Sequence, residues 1–226
     1  MTRVSAMEGH RLWAESYDAA PNALVALETR IMRRILRPVR PKRMIDVACG
    51  TGRWMLRMQQ RGASVFGVDG CNAMLSEAAK HSSLRGKLLL GDAAHLPITN
   101  GTADLVLCSL ALGYFADLQQ SMRELARICA PGGQVAICDL HPEGLAAGWT
   151  RSFTREGAKY EIEHHVYQWK QIELAANDAG LCMVVHESAK FGELEQPFFQ
   201  NAGKQHALAK AAAVPALFVG VWKRPC

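Results

Sequence analysis

Met44-Ile45-Asp46-Val47-Ala48-Cys49-Gly50-Thr51-Gly52 is the stretch on which the reading of this chain turns. A short apolar run meets an acid, and a glycine turn follows. Such a run, bounded by glycines, predicts a buried parallel strand feeding a helix. Glycine lets the backbone bend sharply and approach a ligand more closely than a residue with a Cβ would. A helix opening near Gly52 aims its free amides at whatever occupies the turn.

Outward from that turn the pattern repeats. Ala63–Val68 reads as a second buried strand closed by Asp69-Gly70, and Lys87–Leu90 as a third closed by Gly91-Asp92. Ala103–Ser109 and Gln134–Leu140 read as a fourth and a fifth. Helical segments separate them at Arg53–Gln60, Asn72–Lys80 and Ala116–Cys129, the last followed by a sharp turn at Pro131-Gly132-Gly133. Upstream, Asn22 is a suitable N-cap for a helix running to about Leu36, with Leu24, Leu27, Ile31 and Ile35 as its apolar stripe. Residues 1–20 read as polar and irregular, with Trp13 and Tyr17 one helical turn apart. After the fifth strand the alternation breaks, and His141–Gly157 lacks a helical period. Arg151–Phe153 and Lys159–Ile162 suit a hairpin, Gln168–Ala179 a helix, and Leu181–Val185 with Ala216–Trp222 an antiparallel pair at the sheet edge. The pattern predicts an α/β fold: a doubly wound, mostly parallel seven-stranded sheet in three α/β/α layers. We expect one domain over 1–226, with an N-terminal cap of helices (1–40), a core (42–140) and substrate-side insertions (141–166 and 188–214).

Composition narrows the class. Apolar and charged residues make up 49% and 21% of the chain, ordinary for a soluble globular protein. No apolar run approaches the roughly 20 residues of a membrane span. Glu8, Glu15 and Asp18, with no apolar stretch around them, do not resemble a secretory signal. Seven cysteines are scattered without a Cys-x-x-Cys pair, so reduced structural thiols in a cytoplasmic protein are expected. The net charge of +5 is concentrated in Arg30, Arg33, Arg34, Arg37, Arg40, Lys42 and Arg43. That run is either a solvated helix face or a site for an anionic partner. No aromatic residue interleaves it, which disfavours single-stranded nucleic acid.

In an open α/β sheet, ligands bind beyond the carboxyl ends of the strands. Three consecutive strands here close on Asp46, Asp69 and Asp92. A nicotinamide dinucleotide fingerprint requires a third glycine where this chain has Met55, and an acid beside the turn is a poor neighbour for pyrophosphate. A cationic, phosphate-free cofactor fits better. The residues resemble the class I S-adenosylmethionine-dependent methyltransferases. Asp46-Val47-Ala48-Cys49-Gly50-Thr51-Gly52 is similar to that family's first motif, and Gly91-Asp92-Ala93-Ala94-His95-Leu96-Pro97 to its third. Asp104-Leu105-Val106-Leu107 and Pro131-Gly132-Gly133 match its fourth strand and the turn before the fifth.

The resemblance implies S-adenosyl-L-methionine as cofactor and S-adenosyl-L-homocysteine as product. It implies that Asp46 lies near the methionine end and that Ala48, Gly50 and Gly52 admit the cofactor. Asp69 would take the ribose hydroxyls, with Gly70, Cys71 and Met74 around ribose and adenine. Asp92 and Ala93 would face the adenine ring. Ser109 belongs to the same expected set, and Trp13 and Tyr17 would bring aromatic rings over the cofactor, where a cation–π contact with a sulfonium is physically reasonable.

An acceptor hydroxyl must lose its proton near the transition state, and histidine is the natural base at neutral pH. His141 follows the fifth strand, and His164-His165 follow the hairpin. Only one of two adjacent residues on an extended segment points inward. Tyr114 is a further candidate, in Ser109-Leu110-Ala111-Leu112-Gly113-Tyr114. Family members that methylate exocyclic base or glutamine nitrogens carry Asn/Asp-Pro-Pro-Tyr there, and its absence counts against those acceptors. No metal site is expected. Trp149, Phe153, Tyr160, Phe198 and Phe199 suggest an apolar or aromatic acceptor pocket. The expected function is methyl transfer to a small molecule, at a hydroxyl of an aromatic or quinone-like natural product, by a monomer or homodimer with no membrane partner. The alternatives are an RNA or protein methyltransferase using residues 30–43, and a non-catalytic cofactor-binding regulator.

Overall fold

The computed structural model describes residues 1–19 and 21–226; Ala20, inside the expected N-terminal cap, lies outside the described residues. The chain opens with β1 (Thr2–Val4), α1 (Ala6–Trp13), α2 (Ala23–Ile35), β2 (Arg43–Val47), α3 (Arg53–Gln59), β3 (Ser64–Asp69), α4 (Asn72–Ala78) and β4 (Leu88–Leu90). It continues with β5 (Ala103–Ser109), α5 (Leu118–Ile128), β6 (Cys129–Leu140), α6 (Pro142–Ala146), β7 (Ser152–Arg155), β8 (Ala158–Ile162) and α7 (Trp169–Asp178). Last come β9 (Cys182–Ala189), α8 (Gln196–Asn201), α9 (Leu208–Ala213) and β10 (Leu217–Lys223).

Seven strands form one sheet in the order β4-β3-β2-β5-β6-β10-β9. Neighbours are parallel except at β10, which runs antiparallel to both β6 and β9. Strand order reverses between β2 and β5, so the crevice for a ligand opens beyond their carboxyl ends. The central strands β2, β5, β6 and β10 are largely buried on both faces, and their side chains divide by period two. Met44, Leu105, Leu107, Ala136 and Val219 pack on α2 and α3. Ile45, Val106, Val135, Ile137 and Phe218 pack on α5 and α7. Each such side chain of leucine size contributes about 1.5–3 kcal/mol when fully buried.

Asn22 caps α2 as its sequence position predicts, accepting from the Leu24 amide at 2.9 Å. The stripe of α2 contains one exception, Glu28, which is fully buried. The N-terminal segment, expected to be irregular, instead forms β1 and α1 over residues 2–13. Ser5 caps α1, its side chain accepting from the Glu8 amide. β1 pairs with β8, which pairs with β7, in a second, three-stranded sheet. A buried Asp139–Arg151 pair, 2.5 Å apart, ties that hairpin to β6.

Three further expectations need correction. Pro131-Gly132-Gly133 does not precede the fifth strand but lies within β6, where the register with β5 slips. α6 forms in the segment that lacks a helical period, with His141 as its cap and Pro142 at its start. The last strand pair is antiparallel, but β10 inserts beside β6 and only β9 stands at the edge. β10 can occupy an interior position because it is apolar on both faces, with Leu217 to Trp222 all buried.

Candidate active site

The turn after β2 carries the expected backbone demands. Gly50 and Gly52 have φ of +54° and +84°, and Ala48 takes +57°, a region an alanine adopts only at a cost. A Cβ on Gly50 would stand in open space on the cavity side, whereas one on Gly52 would strike Leu84 Cδ1 at 2.5 Å. Asp69 at the end of β3 reaches back across the turn. Its Oδ2 accepts from the Gly50 amide and its Oδ1 from the Cys71 amide, both at 2.8 Å. Burial raises the Asp69 carboxyl above its ordinary value, and these two amides and His10 oppose the shift. Each oxygen keeps a lone pair for a further donor.

A cavity of about 440 Å³ opens here. Tyr17, Ala48, Gly50, Asp69, Gly70, Met74, Asp92, Ala93 and Ser109 line it, together with Tyr114. Asp46 and Gly52 lie behind the wall rather than on it. Asp46 is only 3% exposed, and its carboxyl is pushed up to about 8, chiefly by burial, with Glu28 and Asp69 adding and Arg53 opposing. The Asp92 Oδ1 accepts from the Ala94 amide at 3.0 Å.

The expected histidines lie elsewhere. His141 is occupied as a cap, its Nδ1 accepting from the Glu143 amide at 3.2 Å and its Nε2 lying 3.3 Å from Ser188 Oγ. His164 Nδ1 turns to the Ile162 carbonyl at 3.0 Å, and His165 is exposed near Tyr167. None of the three lines the cavity. Tyr114 does, with Arg151 stacked over its ring at 4.5 Å. Burial raises its phenol above the ordinary value, while Arg151 lowers it.

His10 lines the cavity instead, held on α1 over the turn. Its ring meets Tyr114 edge to face at 4.6 Å. Its Nδ1 lies 2.7 Å from the Ala6 carbonyl, which fixes the proton on Nδ1 and leaves Nε2 with a free lone pair. Burial lowers its pKa below 6.5. Helical spacing alone did not mark it, because α1 ends at Trp13 and its seat over the turn comes from the pairing of β1 with β8. Glu28 was also missed, because nothing in the stripe of α2 marks it. It accepts from Trp54 Nε1 at 2.6 Å, from Arg53 Nη1 at 2.7 Å and from the Ser109 hydroxyl. This network locks the floor under the turn to the N-terminal helix.

A second cavity of about 620 Å³ meets the first at Tyr17, Leu110 and Tyr114. Trp13, Trp149, Phe191, Phe198 and Phe199 line it, together with Arg151. Phe153 and Tyr160 do not, contrary to expectation; Phe153 instead stacks between Trp13 and Tyr160. All seven cysteines are free, five of them buried. Among the described residues no helix is long and apolar enough to cross a membrane, and no cluster suits a metal ion.

A glycine turn at the strand switch point, closed by the acid of the next strand, defines a nucleoside-cofactor domain of the Rossmann-like methyltransferase fold. Residues 45–137 match the family described as a methyltransferase domain. The demethylmenaquinone methyltransferase of Thermus thermophilus is 36% identical over 45% of this chain and 49% of its own length. The biotin biosynthesis bifunctional protein BioHC of Cellvibrio japonicus is 27% identical over 78% of this chain and 35% of its own. The chain thus spans half or less of the length of these relatives. A chain from the Haloferax volcanii complex between the Trm112 methyltransferase activator and a methyltransferase superposes with a TM-score of 0.76. It covers 98% of each chain at 20% identity, a likeness of fold. The chain thus carries, over residues 45–137, a stretch similar to the methyltransferase-domain family, within a Rossmann-like methyltransferase fold.

Proposed function

We propose that this chain is a methyltransferase that uses S-adenosylmethionine to methylate a small molecule at a hydroxyl of an aromatic or quinone-like compound. The observation that carries the reading is the junction at Tyr17, Leu110 and Tyr114, where the nucleoside-sized cavity opens into an aromatic one. The residues fit the cofactor. Asp69 is pre-set by two amides for ribose hydroxyls, Gly50 leaves room where a Cβ would intrude, and Met74 offers an apolar wall. Asp46, behind the cavity wall, is a buried carboxyl that a cation bound nearby would draw into its charged form. When bound, S-adenosylmethionine supplies an electrophilic methyl on a sulfonium.

The chain's own work is alignment, exclusion of water and removal of one proton. Trp13 and the phenylalanines hold an apolar ring, and Tyr17 and Tyr114 close the junction. His10 Nε2 accepts the hydroxyl proton. Its depressed pKa keeps it neutral, and so able to accept, throughout the neutral range. The name of the Thermus thermophilus relative supports a quinone-like acceptor.

Calorimetric titration with S-adenosylhomocysteine tests the cofactor placement. Asp69→Ala is expected to weaken binding at least about tenfold, as expected for losing hydrogen bonds to a charged group; unchanged affinity would sink the reading. His10→Gln is expected to slow methyl transfer about 10²-fold or more with cofactor affinity retained. It should also remove the acid limb of the rate profile. That limb lies below pH 6.5, because protonation of His10 abolishes the base only as pH falls through its lowered pKa.

A further inference from the structure

Beside the two cavities runs a groove of about 1230 Å³ between α2 and α3, and it continues the acceptor cavity. Trp13, Tyr17, Val25 and Phe198 line both. Seven arginines line the groove, and its acids are Asp18 and Glu195. Among the described residues, Arg30 has Glu195 as its carboxylate partner and Arg34 has Glu187. Arg33, Arg37 and Arg57 have none, and the Arg57 Nε is buried without a hydrogen-bond partner. Arg30, Arg33 and Arg34 recur at i, i+3 and i+4 on one face of α2, and Arg37 follows just past its C-cap, Leu36. Burial and the neighbouring Arg53 and Arg33 lower the Arg57 pKa, as burial and Arg40 lower that of Arg61. Like charges gathered without counter-ions repel one another, so this arrangement is relieved by an anion. The acceptor cavity itself has no acidic side chain on its wall.

We propose that the methyl acceptor carries a phosphoryl group, held in this groove by Arg33, Arg37 and Arg57 while its apolar body passes Trp13 and Tyr17 to the methyl donor. This rests on the methyltransferase reading above. A carboxylate is satisfied by a single guanidinium fork, whereas a phosphoryl group offers three oxygens to several. Single-stranded RNA is the poorer occupant, because it needs exposed aromatic platforms among the arginines. Of the four aromatic residues on the groove, Trp13, Tyr17 and Phe198 stand at its junction with the acceptor cavity, and Trp54, the one packed against Arg57, is 3% exposed.

The test is calorimetry on the intact chain with phenyl phosphate, inorganic pyrophosphate and an RNA decamer, each with S-adenosylhomocysteine present. Phenyl phosphate and pyrophosphate are expected to bind saturably and to compete with each other. Arg33→Gln and Arg57→Gln are each expected to weaken both at least about tenfold, with S-adenosylhomocysteine affinity and melting temperature unchanged. Arg37→Gln, a fully surface change, serves as the third variant should Arg57→Gln disturb packing. No saturable binding of phenyl phosphate, or binding indifferent to the substitutions, overturns the proposal. So does an RNA decamer that binds more tightly than either, with affinity falling steeply as salt rises. Failure of S-adenosylhomocysteine to bind the unaltered chain defeats the methyltransferase reading instead.

Discussion

Ala48 concentrates the demands of the site on one residue. It holds φ at +57° where the backbone leaves β2 for the turn, a conformation glycine adopts freely and alanine does not. Ala48→Gly is therefore expected to stabilise the protein by about 1 kcal/mol. In urea unfolding the midpoint should rise while the slope stays constant; an unchanged midpoint would show that the turn carries no strain. His10 has a matching effect on stability. Its folded pKa lies below its ordinary 6.5, so the unfolded chain takes up the proton first as pH falls. Stability should decline as pH drops through about 6.5, and His10→Phe should flatten that part of the pH–stability curve.

At the scale of the element, α1 makes one wall of the cavity beyond β2, through Ala6, Met7 and His10. Gly9 packs so closely on the hairpin that a Cβ would meet Ile162 Cγ1 at 2.8 Å. Arg155 Nη1 donates to the Leu12 carbonyl at 2.8 Å at the other end of the helix. Gly9→Val is expected to lift α1 and with it Met7 and His10, all on the cavity side of the sheet. S-adenosylhomocysteine affinity should fall about tenfold or more, with the melting temperature lowered by only a few degrees. An affinity equal to that of the unaltered chain would show that α1 is not part of the site.

For the molecule as a whole, the small sheet and the large one are joined through Asp139 and Arg151. Asp139 Oδ2 accepts from the Gly113 amide at 2.8 Å, and its Oδ1 from the Leu140 amide at 2.7 Å as well as from Arg151. Arg151 donates to the Leu110 carbonyl at 2.9 Å and lies over Tyr114, so the pair fixes the junction of the two cavities. Asp139→Ala leaves a buried guanidinium without its counter-charge and should cost about 3–5 kcal/mol. The double change Asp139→Leu with Arg151→Met should cost less than that in thermal or urea unfolding; a larger loss would contradict the account of an uncompensated charge.

Local chemistry was enough to read the core from the sequence. β2 to β6 and the helices between them follow from short apolar runs bounded by glycine turns, and from acids at the strand ends. Asp69, Asp92 and Gly50 fall on the cavity because that pattern is local and the switch point is set by strand order. What surrounds the site depends on contacts between residues far apart in the chain, which leave no periodic trace. His10 reaches the cavity because β1 pairs with β8 and seats α1 over the turn, while His141 is turned away because α6 begins there and takes it as a cap. Glu28 becomes a buried anchor only when Arg53 and Trp54 of α3 and Ser109 of β5 converge on it. The strand-and-turn stretch at Met44–Gly52 by itself determined where the crevice opens; only the tertiary structure decided which histidine and which aromatic rings line the cavities there and which arginines line the groove beside them, since those positions depend on pairings between segments distant in sequence.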